Sequence, residues 1–142
     1  MPTTTQFLTP VLVLVTWTLI MWVWMYATRI PAMNKAGVEP QDAAHPGTWV
    51  HRVPSSVRAV ADNYNHLHEQ PTIFYALMFF AALTGGGDAT ALRLAWAYVI
   101  LRVLHSLVQA TFNKVIVRFS VFALGTVALM VLAARQLLRV VA

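Results

Sequence analysis

The stretch FLTPVLVLVTWTLIMWVWMYA, Phe7 to Ala27, runs for 21 residues without a charge. At about 1.5 Å per residue a helix of that length crosses the roughly 30 Å hydrocarbon layer of a bilayer, so it reads as a membrane-spanning helix. Pro10 falls near its start, where a missing N–H costs little. No positive residue precedes it, the apolar run exceeds that of a secretory leader, and Tyr26 to Arg29 offers no small-residue cleavage site. We therefore expect the helix to be retained. Trp17, Trp22, Trp24 and Tyr26 crowd its second half just before Arg29, as an interfacial aromatic belt does.

The rest of the chain has the same character. Of 142 residues, 58% are hydrophobic and only 11% charged, far below the roughly 25% charge of soluble domains. Further apolar segments follow at Pro71–Leu83, Ala89–Phe112 and Val115–Leu138. The first of these is 13 residues and too short to span alone, so the polar stretch from Val57 onward is expected to continue it within the membrane. The expected fold is all-α: one domain over residues 1–142, an integral membrane four-helix bundle with helices at about 7–28, 57–84, 89–112 and 115–139. Residues 30–55, broken by prolines and glycines, form the one long loop; Gly85–Asp88 and Asn113–Lys114 are tight connections. Arg29, Lys35, Arg52, Arg58, Lys114 and Arg118 outnumber Arg93, Arg135 and Arg139, which puts the 30–55 loop on the cytoplasmic side.

With no cysteine, the chain has no disulfide, no thiolate metal site and no thiol nucleophile of its own. A net charge of +5 favours anionic headgroups or anionic ligands. An ionisable residue inside a span costs roughly 2.5–3.5 kcal/mol on insertion scales, so each needs a partner or a purpose. Measured from the glycine turn, Glu69 lies about 24 Å deep, Arg102 about 21 Å and His105 about 26 Å; Arg118 lies about 26 Å from Arg135. All four therefore gather near the cytoplasmic face. Arg58, Asp62, Asn65 and Glu69 are spaced to make one stripe on a continuous helix, and Arg102, His105 and Gln109 make another. Two such stripes at matching depth suggest a shared polar pocket, with Glu69 expected to pair with Arg102. Arg118 has no acid at helix-neighbour spacing, and the excess positive charge suits an anion.

These residues also carry a family resemblance. DNYNHLHEQPTIFYAL (Asp62–Leu77), RVLHSLVQ (Arg102–Gln109) and Arg118 resemble the membrane-associated proteins in eicosanoid and glutathione metabolism, the MAPEG family. Helices three and four are most similar to its microsomal prostaglandin E synthase branch. The second-helix motif departs from the usual pattern: Asn65 stands four residues before Glu69, His66 three before it, and Asp62 where an arginine is common. Gln109 and Phe122 stand in place of two tyrosines. The resemblance implies a homotrimer in contact with lipid, glutathione as the cosubstrate, and a site near the cytoplasmic face. In that reading Arg118 is the catalytic, thiolate-stabilising residue, and Arg29, Asn65, His66, Glu69, Arg102 and His105 bind glutathione, with no metal. Arg29 matches an arginine contributed across the protomer boundary. The implied activity is a glutathione S-transferase or glutathione-dependent peroxidase acting on lipophilic substrates in a bacterial inner membrane. The alternative is a non-catalytic member that binds lipid or a partner protein. A channel would need a polar stripe continuing along the first helix, and none is present.

Overall fold

The computed structural model describes residues 1–141. Helix α1 (Thr4–Lys35) starts at a reciprocal cap, in which Thr3 Oγ1 accepts from the Gln6 N–H at 3.2 Å and Gln6 Oε1 from the Thr3 N–H at 3.0 Å. It runs through Pro31, past the expected end near residue 28. Three short 3-10 turns follow, Pro40–Ala44, Pro46–Thr48 and Val50–Arg52. Arg52 ties this segment together, donating to the Ala36 and Gly37 carbonyls at 2.9 and 2.8 Å and pairing with Asp42 at 3.4 Å. The remaining helices are α2 (Ser55–His66), α3 (Gln70–Leu83), α4 (Ala89–Ala110) and α5 (Val115–Val141). Helices α1, α4 and α5 are each long and apolar enough to cross a membrane.

The continuous helix expected over 57–84 is broken. Pro71 has no N–H to give the Leu67 carbonyl, and its ring would collide with that group, so α2 ends at His66 and α3 restarts at Gln70. Glu69 sits between them at φ −91°, ψ −98°, outside helical geometry. Arg58, Asp62 and Asn65 keep their common face on α2, but Glu69 no longer belongs to that stripe.

The inner face of α1 buries Phe7, Val11, Leu14, Met21 and Met25, a spacing of three and four residues that keeps one stripe inward, while Leu12, Leu19 and Val23 face out. Against it stand the fully buried Ala91 and Ala95 of α4, small enough to let backbones approach, and Phe74 stacked on Tyr98 at 4.7 Å. Between helices in lipid the hydrophobic effect gives little drive, so close packing and interhelical hydrogen bonds hold the bundle. Asn63 donates to Ser106 at 2.6 Å, joining α2 to α4, and Gln70 donates to Thr126 at 3.0 Å, joining α3 to α5. Each is worth about 0.6–2 kcal/mol.

At the glycine end, Arg139 donates to the Gly85 carbonyl at 2.8 Å, Gln136 to Gly86 at 3.2 Å, and Arg135 pairs with Asp88 at 2.7 Å. These contacts bring the start of α4 beside the end of α5, so the two run antiparallel. Asp88 also caps α4 by accepting from the Ala91 N–H at 2.7 Å. That backbone hydrogen bond, helped by Arg135, holds the Asp88 carboxyl below its ordinary pKa. A lowered folded-state pKa gives stability that is complete above the unfolded value of 3.8 and lost as pH falls through the folded one. Acid unfolding followed by circular dichroism in detergent should therefore show a weaker pH dependence below pH ~4 in Asp88→Asn than in the parent.

Candidate functional site

The break between α2 and α3 organises the polar end of the bundle. At a helix C-terminus the last carbonyls lack intrahelical partners and carry the negative end of the dipole. Arg102, reaching across from α4, donates Nη2 to the His66 carbonyl at that end. The Pro71 interruption thus creates the acceptor that Arg102 uses. The expected Glu69–Arg102 ion pair does not form: among the described residues, Glu69 pairs with His66 Nδ1 at 2.5 Å. Arg102 and Glu69 both contact His66, so they share a level along the bundle, but the break turns the Glu69 side chain toward its own helix end.

Four of the candidate residues, Asn65, His66, Glu69 and Arg118, line one cavity of about 350 Å³ together with Asp62 and Gln109. Arg118 is half-buried and donates Nη1 to Asn113 Oδ1 at 2.8 Å. Asn113 occupies the left-handed region at φ +46°, which asparagine tolerates better than most residues, and so begins the turn that aims Arg118. Among the described residues, Arg118 forms no ion pair. Its remaining guanidinium donors are available to an anion in the cavity.

Arg102 and His105 stand behind this cavity, 3% and 2% exposed. Both contact it through the His66 segment: the His66 and His105 rings are 5.2 Å apart, and Arg102 holds the His66 carbonyl. Arg102 Nε and Nη1, His105 Nδ1 and Gln109 Oε1 are buried without a hydrogen-bond partner in the chain. Such groups cost free energy unless paired, and they are concentrated along one face of α4. Arg29 lies elsewhere, with its guanidinium 4.6 Å from the centre of the Trp49 ring. It lines a second, larger cavity of about 670 Å³ beneath the 49–57 segment, whose wall includes Arg58. The two cavities have Asp62 and Asn65 in common.

Four residues of the site, Phe122, Asp62, Gln109 and Trp49, are not among the residues expected to bind or catalyse. Phe122 is the hub of the buried side: its ring lies 5.4 Å from His66, 5.7 Å from His105 and 5.5 Å from the Arg102 guanidinium carbon. Its position four residues after Arg118 on α5 was the available signal. Asp62 and Gln109 line the site, as their polar stripes imply, and Trp49 carries no sequence signal beyond its loop position.

Residues 7–138 match the model of the MAPEG family. No curated protein and no solved structure matches the chain.

Proposed function

Since the chain belongs to the MAPEG family, which includes glutathione transferases and peroxidases, we propose that it binds glutathione in the Arg118 cavity and transfers its thiol to lipophilic electrophiles. The observation that carries this reading is Arg118 itself, a half-buried cation with donors to spare in a cavity lined by Asn65, His66 and Glu69. The chain has no thiol, so the nucleophile comes from the cosubstrate. A thiol of pKa near 8.5 is mostly protonated at neutral pH. Lowering that value by ~2 units needs about 2.7 kcal/mol of preferential interaction with the thiolate, within the range of a well-placed arginine in a partly dry site.

The thiol proton leaves to solvent and Arg118 stabilises the anion. The sulfur forms a C–S bond to the electrophilic carbon while the bond to the leaving group breaks and that group takes the electron pair. His66, held by Glu69, and Asn65 are polar contacts for the peptide backbone of glutathione. Arg102 and His105 act from behind, fixing the His66 segment that faces the ligand. Arg29 is the carboxylate partner at the far side. The same reading takes the protein to be a homotrimer in a bacterial inner membrane, with its 30–55 segment cytoplasmic and helices three and four closest to the prostaglandin E synthase branch.

Phe122 favours a second reading. It packs against Arg102, His66 and His105 with no hydroxyl to offer a thiolate, which suits a non-catalytic member that binds lipid or a partner. Calorimetric titration with glutathione in detergent, followed by turnover with a chlorodinitrobenzene-type electrophile, tests both. Saturable binding with turnover is the expected result. Binding without turnover supports the second reading, and the absence of binding rejects the glutathione site.

A further inference from the structure

The two cavities differ in charge, and the difference runs in a definite order. Arg118 stands in the smaller cavity, Arg29 and Arg58 stand in the larger, and Asp62 belongs to the wall of both. Asp62 is exposed and, among the described residues, has neither an ion pair nor a side-chain hydrogen bond, although Arg58 stands one helical turn before it on α2. The other carboxylate of the site, Glu69, is already paired with His66. An unpaired anion flanked by cations on two sides complements a ligand whose own charges alternate in the same order: anion, cation, anion.

We propose that Asp62 is a specificity-determining residue that binds the ammonium group of the thiol ligand, so that its γ-glutamyl arm runs from Arg118 past Asp62 toward Arg29 and Arg58. This rests on the reading of the Arg118 cavity as a glutathione site. In glutathione the ammonium and one carboxylate share a carbon at the end of the γ-glutamyl arm, with the sulfur on the adjoining residue. With sulfur at Arg118, that arm presents its ammonium to Asp62 and its carboxylate to the arginines of the larger cavity. The glycyl end then points away from the larger cavity. An asparagine at position 62 keeps the side chain's shape but loses the charge that distinguishes an ammonium from hydrogen, and its own N–H donors compete with the ammonium for the same space.

The test is calorimetric titration of the parent and of Asp62→Asn with two peptides, glutathione and glutaryl-cysteinyl-glycine, in which hydrogen replaces the ammonium and both carboxylates remain. The parent should bind glutathione about tenfold more tightly than the deaminated peptide, the scale of one charge-assisted hydrogen bond. Asp62→Asn should bind the two alike, at the parent's affinity for the deaminated peptide. Arg58→Gln should weaken both peptides by a similar factor, because both keep the carboxylate. A preference for glutathione that survives in Asp62→Asn, a parent that does not discriminate, or an Arg58→Gln variant that binds both as the parent does would overturn the assignment. Binding of neither peptide by the parent would instead reject the glutathione reading, and Asp62 with it.

Discussion

Arg118→Lys is expected to lower turnover with glutathione at least about tenfold, equivalent to ~1.4 kcal/mol of transition-state stabilisation, while leaving folding and assembly intact. The rival role for Arg118 is a positive anchor whose stem lies along apolar surface while its charge reaches the headgroups. Lysine anchors equally well. It lacks the planar fork that lets one nitrogen hold a neighbour while others contact a ligand. Arg118 already uses Nη1 on Asn113, so its effect on a thiolate comes from the donors that remain. A lysine ammonium drawn to Asn113 sits differently and presents no second planar edge. Steady-state kinetics with saturating electrophile measure the loss, and size-exclusion chromatography in detergent checks assembly. A lysine variant as active as the parent would remove Arg118 from the chemistry and leave it as an anchor.

Arg102→Met should have a larger and less intuitive effect, raising the stability of the ligand-free protein by about 1–2 kcal/mol while weakening glutathione binding at least about tenfold. Arg102 is 3% exposed, yet only Nη2 has a hydrogen-bond partner, the His66 carbonyl. Burying a cation costs several kcal/mol even after relaxation. That cost is opposed by one charge-assisted hydrogen bond and a contact over the Phe122 ring at 5.5 Å, together worth about 2–5 kcal/mol. Methionine fills similar space without the charge, and the His66 carbonyl keeps the weaker 3.4 Å hydrogen bond from the Glu69 N–H. A cation buried at such a cost is expected to act in binding rather than in stability. Reversible unfolding in mixed detergent and glutathione calorimetry read the two effects separately. A variant that unfolds more easily than the parent would make Arg102 a structural cap for α2, held for stability.

Much of this architecture is legible without coordinates, because membrane crossing is a local property of the chain. A charge-free run such as Phe7–Ala27 must be helical and must lie in lipid, since no other open structure satisfies its backbone there. Depth is equally local. A rise of about 1.5 Å per residue put Glu69, Arg102, His105 and Arg118 toward one end from their distances along the chain, and His66 does adjoin Glu69, Arg102 and His105 in space. The break after His66 also has its signal in the sequence, in Pro71.

Pairing was decided by the tertiary structure alone. Which charged groups meet depends on how each helix is rotated about its axis and where the backbone departs from helical geometry, and neither follows from depth. The Pro71 interruption turned Glu69 to His66 and freed the His66 carbonyl for Arg102, replacing the ion pair that depth suggested. Rotation of α5 placed Phe122 among Arg102, His66 and His105, where its sequence position showed only a missing hydroxyl. The folding of the 36–54 segment over α1 and α2 set Arg29 against Trp49 and made Asp62 part of two cavities at once. Apolar length and charge depth are summed along one helix and can be read from it, whereas a binding site is made where several helices meet and needs all of them in place.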